Sequence, residues 1–213
     1  MREETRTIIF AAGVCVFCSL LLSGTAAALK SRQDLNEKFD KQRNIVKAFG
    51  LNISGATPDS IGTIFSEHIL EEKTADDLPI YIWKEGDKVT KYAFPVSGKG
   101  LWSTIYGYLA LNSDLQTVAG ISFYKHGETP GLGAEIEKDW FQNNFKGKSL
   151  YDSDGNPLPF KIVKGGVKAL PKVEQKYAVD GISGATLTGN GVQDFLQKDV
   201  ARYAPYFKSL RGN

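Results

Sequence analysis

The segment Asp180-Gly181-Ile182-Ser183-Gly184-Ala185-Thr186-Leu187-Thr188 is where residue types and spacing could do chemistry. Gly184 and Ala185 clear side-chain bulk from around the Thr186 hydroxyl, so a modifying enzyme could reach it. If Leu187 opens a helix, a phosphate carried on Thr186 lies near that helix's N-terminal amides, where unpaired N–H groups and the macrodipole favour an anion. The alternative is an ordinary helix start with Ser183, Thr186 or Thr188 as its capping residue. The letters Ser-Gly-Ala-Thr alone do not choose between these readings, because Ser54-Gly55-Ala56-Thr57 repeats them. The surroundings of the two copies differ. Leu51 stands where Asp180 stands in the second copy, and Pro58 follows Thr57 directly, which biases Thr57 to extended geometry.

Two other segments carry unusual residues. His126-Gly127-Glu128-Thr129-Pro130-Gly131-Leu132-Gly133 packs three glycines and a proline into eight residues at a strand end. Gly127, Gly131 and Gly133 permit close approach of a planar ligand, and Glu128 and Thr129 offer polar groups. A plain surface loop has the same composition. His126 has only His68 for company, so no metal-ligand set is present. In Gly98-Lys99-Gly100-Leu101-Trp102-Ser103, Trp102 either joins the core or stacks on a ligand ring. Gly107 inside the following strand marks a bulge or a close contact. Gly181-Ile182-Ser183-Gly184-Ala185 lacks the final glycine of a nucleophile elbow, and no Walker loop or Rossmann fingerprint is present.

Several elements must position these segments. The 213 residues suffice for one ordinary domain and a short extra element. A formal charge of +2, with no basic run interleaved with aromatics, points away from nucleic acid. The span 7–29 is free of charged residues and long enough for a bilayer, which needs about 20 residues. It divides the chain into a short tail (1–6), a transmembrane helix (7–29), a juxtamembrane helix (30–50) and a domain (51–213). A cleaved signal peptide is the rival reading, with Ala26 and Ala28 forming an Ala-x-Ala ending. The only cysteines, Cys15 and Cys18, lie in this span and read as small apolar filler. The span contains no Asp or Glu and so offers no charged ion ligand of its own. Lys30, Arg32, Lys38, Lys41 and Arg43 follow it, against Arg2 and Arg6 before it, a balance that by itself favours a cytoplasmic C-terminal domain.

Periodicity predicts a helix over 33–49 stopped by Gly50 and a short helix over 60–73. Strands follow over 79–84, 91–96, 102–112 and 115–125, with turns at Glu85-Gly86-Asp87 and Ser113-Asp114. Residues 135–143 read as a helix, 153–157 as a turn, 160–164 as a strand and 191–208 as a helix. Hairpins cluster in the middle and helices toward the ends. The expected fold class is α+β, an antiparallel sheet with flanking helices preceded by one N-terminal transmembrane helix.

The stretch 180–186 resembles the flavin-attachment motif of the FMN-binding domain family, Asp-x-x-Ser/Thr-Gly-Ala-Thr. More broadly, the chain resembles the C subunit of the bacterial sodium-translocating NADH:quinone oxidoreductase. The matching pieces occur in order: one N-terminal span, Lys41-Gln-Arg-Asn44-Ile45, Gly98–Ser103, Tyr106-Gly-Tyr-Leu-Ala-Leu111, His126–Gly133 and Asp180–Thr188. The resemblance covers nearly the whole chain. It implies FMN joined by a phosphoester to Thr186, installed from FAD by a separate Mg-dependent flavin transferase. It also implies an electron-relaying place among the six subunits of a bacterial inner-membrane assembly that oxidises NADH, reduces ubiquinone and exports sodium. The soluble domain would then lie in the periplasm, against the charge balance. The implied flavin neighbourhood comprises Ser183, Gly184, Ala185, Leu187, Trp102, Glu128, Thr129, Gly131, Leu132 and Gly133, with Thr186 as anchor and not as a nucleophile in turnover. Two alternatives stand beside it: the G subunit of an Rnf-type ferredoxin:NAD oxidoreductase, and a non-catalytic extracytoplasmic interaction module with unmodified Thr186.

Overall fold

The computed structural model describes residues 2–211. The chain divides into two compact units, Met1–Lys41 and Gln42–Asn213. The first unit holds most of α1 (Glu3–Ala48), whose residues 7–29 are solvent-exposed and apolar. By length and composition α1 can cross a membrane. An i,i+4 ion pair, Lys30–Asp34 at 2.8 Å, lies beyond its apolar stretch.

The second unit is an α+β domain. A five-stranded antiparallel meander runs in sequence order through β1 (Ile69–Lys73), β2 (Pro79–Glu85), β3 (Lys88–Lys99), β4 (Thr104–Asn112) and β5 (Val118–Lys125). Alternation assigns its two faces. Ile80, Ile82, Phe94, Val96, Ile105, Leu109, Ile121 and Phe123 point to the main core. There they meet Val192, Phe195, Leu196, Val200, Tyr203 and Phe207 of the long C-terminal helix α5 (Thr186–Arg211). Phe141 and Phe145, in and just after the short helix α3 (Asp139–Asn143), close the same core beside Phe123.

The opposite face carries Trp83, Ala110 and Ser122 and is covered by the last turns of α1 and by α2 (Pro58–His68). Phe49 packs on Trp83 at 5.3 Å, His68 stacks on Trp83 at 4.8 Å, and Ser122 donates from Oγ to Asn44 Oδ1 at 2.7 Å. The α1 backbone lies so close to β5 that a Cβ on Gly120 would come within 2.6 Å of the Ala48 carbonyl oxygen. Backbone cannot swing aside as a side-chain tip can. Gly120→Ala is therefore expected to destabilise the domain by about 1–3 kcal/mol, read as a lower denaturant midpoint with an unchanged m value.

The strands expected over 91–96, 102–112 and 115–125 shift at their ends by two or three residues, and three helices depart further from the sequence expectation. The helix expected over 60–73 ends at His68, and Ile69–Lys73 instead pairs with β2 from Ile69↔Trp83 to Lys73↔Pro79. The helix expected over 135–143 is a 3₁₀ turn, Gly133–Glu137, followed by α3, with extended Lys138 between them. The helix expected from 191 begins five residues earlier, at Thr186. The strand expected over 160–164 is β6 (Lys161–Val163), which pairs in parallel with β7 (Ala178–Asp180) and delivers the chain to the 181–186 turn. A four-residue helix, α4 (Lys172–Gln175), lies between them.

Candidate functional site

The two Ser-Gly-Ala-Thr copies extend to a shared pentapeptide, Ile53–Thr57 and Ile182–Thr186, and fold into the same turn. In each, the Ala amide donates to the Ile carbonyl at 3.1 Å, and the Gly between them takes positive φ, +75° at Gly55 and +78° at Gly184. That region strongly favours glycine. Beyond the turn the copies diverge by one residue of helix phase. Thr57 is extended (φ −82°, ψ 159°) and caps α2, its Oγ accepting from the Ser60 amide at 3.3 Å. Thr186 is already the first residue of α5, and the residue in the capping place is Ala185, whose carbonyl accepts from Gly189 at 3.0 Å.

Alanine has no side-chain acceptor, so it leaves the helix start uncapped. Among the described residues, the amides of Thr186, Leu187 and Thr188 have no protein acceptor. The Thr186 side chain is exposed and its hydroxyl has no partner among the described residues.

Asp180, the first residue of the motif, turns its Oδ1 to accept from the Val167 amide at 2.6 Å. It holds the 165–169 loop against the end of β7.

Glu128 is the organising residue of the site. It is 5% exposed, and its carboxylate accepts four hydrogen bonds. Three come from consecutive amides of the β3–β4 hairpin loop: Leu101 to Oε2 at 3.3 Å, Trp102 to Oε1 at 3.0 Å and Ser103 to Oε1 at 3.3 Å. The fourth is the Thr188 hydroxyl, donating to Oε2 at 2.6 Å. Burial works to raise the Glu128 carboxyl, but the Thr188 hydroxyl and the Trp102, Ser103 and Leu101 amides outweigh it and hold the group below the ordinary carboxylate range. Glu128 thus ties three segments together: its own loop, the hairpin loop that carries Trp102, and the first turn of α5.

Gly100 and Gly133 make room for this knot. A Cβ on Gly100 would stand 2.6 Å from Glu128 Oε1, and one on Gly133 would stand 2.6 Å from Thr188 Oγ1 and 2.8 Å from Glu128 Oε2. Gly131, at φ +73°, follows Pro130 in a tight turn closed by the Leu132 amide donating to the Thr129 carbonyl at 3.1 Å. That turn carries Leu132 to Gly184, where a Cβ would meet Leu132 Cδ2 at 2.9 Å. The Ser103 hydroxyl oxygen accepts from the Gly127 amide at 2.5 Å, and His126 Nδ1 accepts from the Glu128 amide at 3.3 Å, fixing the loop from its other end.

The expected site residues therefore separate into two groups. Thr186, Ser183, Gly184, Leu187, Trp102, Thr129, Gly131 and Leu132 are exposed, whereas Ala185, Glu128 and Gly133 are buried supports. Trp102 lies outside β4, at the hairpin tip, and is 71% exposed; Leu187 is 62% and Leu132 43% exposed. Beside them an open groove of about 530 Å³ runs from Leu187 between α5 and Ser97–Leu101. The side chains sequence reasoning missed are Thr188, weighed only as a cap, and Ser103. Exposed apolar side chains, an unpartnered hydroxyl and free helix-start amides suit a flat apolar ring system bearing a phosphate.

Comparisons with known proteins point to one family. The model of the FMN-binding domain matches residues 100–201. The chain is 35% identical to the Na(+)-translocating NADH-quinone reductase C subunit of Pseudomonas aeruginosa, over 91% of this chain and 90% of that protein. It is 32% identical to the C subunit of Vibrio anguillarum, over 97% and 94%. Among solved structures it is similar to the C subunit of Parabacteroides distasonis, at TM-score 0.72 and 31% identity over 84% of this chain and 96% of that one. It is also similar to Shewanella oneidensis NqrC, at TM-score 0.71 and 26% identity over 84% and 100%.

Proposed function

The chain belongs to the C-subunit family of the Na(+)-translocating NADH-quinone reductases, and on that premise we propose that it carries FMN as a phosphoester on Thr186. It is a subunit of an oxidoreductase, an FMN-binding electron-transfer component that works with the other subunits of its complex. The finer reading adds a six-subunit assembly that exports sodium while passing electrons from NADH to ubiquinone. It also adds anchoring in the bacterial inner membrane through residues 7–29, a periplasmic domain, and maturation by a flavin transferase.

The observation that carries the attachment reading is the uncapped start of α5. Replacing a capping Ser, Thr, Asn or Asp with Ala costs a helix about 1 kcal/mol. Here Ala185 leaves the Thr186, Leu187 and Thr188 amides open beside an exposed hydroxyl. A phosphate on Thr186 Oγ lies where those amides and the helix dipole stabilise it. Leu132, Leu187 and Trp102 supply apolar surface for the ring system, and Glu128 holds Trp102 in place from beneath. When bound, the flavin supplies the one- and two-electron chemistry; the protein supplies its position and surroundings.

Intact mass of the full chain co-expressed with a flavin transferase tests this. The expected gain is about 438 Da, FMN less one water, as covalent cofactor binding requires. A chain weighing only its polypeptide overturns the covalent reading.

A further inference from the structure

Resting on the attachment reading, we infer that the residue after each threonine decides which copy of the pentapeptide accepts flavin, by setting the phase of the following helix. The turns are the same up to Ala56 and Ala185, so turn geometry does not separate them. Pro58 follows Thr57, and the proline ring clashes with a helical conformation of the residue before it. Thr57 is accordingly extended, and α2 starts one residue later at Pro58. In the capping place, the Thr57 oxygen is held by the Ser60 amide and its carbonyl accepts from Ser60 Oγ at 2.9 Å. Leu187 imposes no such restriction on Thr186, which enters the helix and leaves its hydroxyl without a partner among the described residues.

The difference bears directly on transfer from a flavin dinucleotide. There the threonine Oγ forms the new bond to the flavin-side phosphorus, the pyrophosphate P–O bond breaks, AMP leaves, and the hydroxyl proton passes to a base on the transferase. Oxidation states do not change. Thr186 Oγ has its lone pairs free for that bond, and the adjacent first-turn amides of α5 are open to a phosphate. Thr57 Oγ is engaged by Ser60, and Pro58 removes one amide of the first turn altogether.

The test is the full chain carrying Leu187→Pro, compared with Leu187→Ala, each co-expressed with a flavin transferase. Both lack the leucine side chain; only the first restricts Thr186. In L187P, the Thr186 ¹³Cα and ¹³Cβ shifts should move from helical to extended values and the mass gain should be lost, while L187A keeps helical Thr186 and more of the modification. L187P modified to the level of L187A, or L187P with Thr186 still helical, overturns the inference. The reciprocal variant, Pro58→Leu, keeps the test usable if L187P does not fold: Thr57 should shift from extended to helical values, and unchanged extended values overturn the inference. Wild-type chain without the mass gain would instead sink the attachment reading, leaving the shift comparison to judge helix phase by itself.

Discussion

Thr186→Val is expected to abolish covalent flavin, and Thr57→Val to leave it intact. Valine has the shape of threonine without the hydroxyl, so the turn at Gly184 and the start of α5 should survive. The only loss at position 186 is the oxygen that forms the ester. Flavin fluorescence on a denaturing gel, with intact mass as its quantitative partner, reads the result directly. T186V should show neither fluorescence nor the gain of about 438 Da expected of covalent binding. T57V should show both, at a modest cost in stability, because it removes the α2 cap from the Ser60 amide. Replacing a capping Thr with Ala costs about 0.5–2 kcal/mol, so T57V should unfold earlier and still fluoresce. Fluorescence retained in T186V and lost in T57V would assign the flavin to the other copy.

The contrast between the copies also shows what the sequence can and cannot display. Pro58 and its bias on Thr57 are local, and the structure has Thr57 extended, as that bias predicts. β2, β3 and β5 were legible from their Ile, Val, Tyr and Phe content and the turns that flank them, although buried Tyr81, Trp83 and Ala93 hide the alternation of the two faces. The early start of α5 was not. Gly189 and Gly191 are poor helix formers, yet tertiary packing needs small residues where α5 meets β3. A Cβ on Gly191 would collide with the Lys99 carbonyl, and one on Gly98 with the Phe195 ring. Helix α5 can lie this close to β3 only because of these two glycines. β1 was hidden for a different reason. Ile61, Phe65 and Ile69 are spaced four apart and read as one helical stripe, but Ile69 is claimed by pairing with Trp83, and strand pairing leaves no local signature. The Glu128–Thr188 bond spans sixty positions, and the hairpin amides that share Glu128 are backbone, which no residue type reveals.

Removing Glu128 is expected to have the largest effect on the domain short of a core deletion. Glu128→Ala strands the Leu101, Trp102 and Ser103 amides and the Thr188 hydroxyl at once. Hydrogen bonds to a charged group are worth about 1.5–3 kcal/mol each, but the four share one carboxylate and do not add, and exposed Leu101 and Trp102 let their amides regain water, so a net loss of roughly 2–4 kcal/mol is expected in denaturant unfolding. Glu128→Gln separates charge from shape. One oxygen still accepts from the hairpin, the Thr188 hydroxyl can turn to accept from the amide nitrogen, and one hairpin amide is left facing a donor. E128Q should therefore be intermediate. The pH profile distinguishes electrostatics from packing. The folded carboxyl lies below the ordinary value of 4.5, so the unfolded state takes up the proton first as pH falls. The stability Glu128 contributes is thus complete above that value and is lost as pH drops through the lower, folded one. Wild-type stability should decline across this acid window, and E128Q, with nothing to titrate there, should decline less. Equal slopes for the two would mean that Glu128 acts by shape alone. With the knot loosened, the hairpin tip bearing Trp102 loses its fixed position beside α5. Holo-protein E128Q should then keep its covalent flavin on Thr186 while that flavin's fluorescence and reduction potential move away from the wild-type values, a change that lost stability alone would not produce.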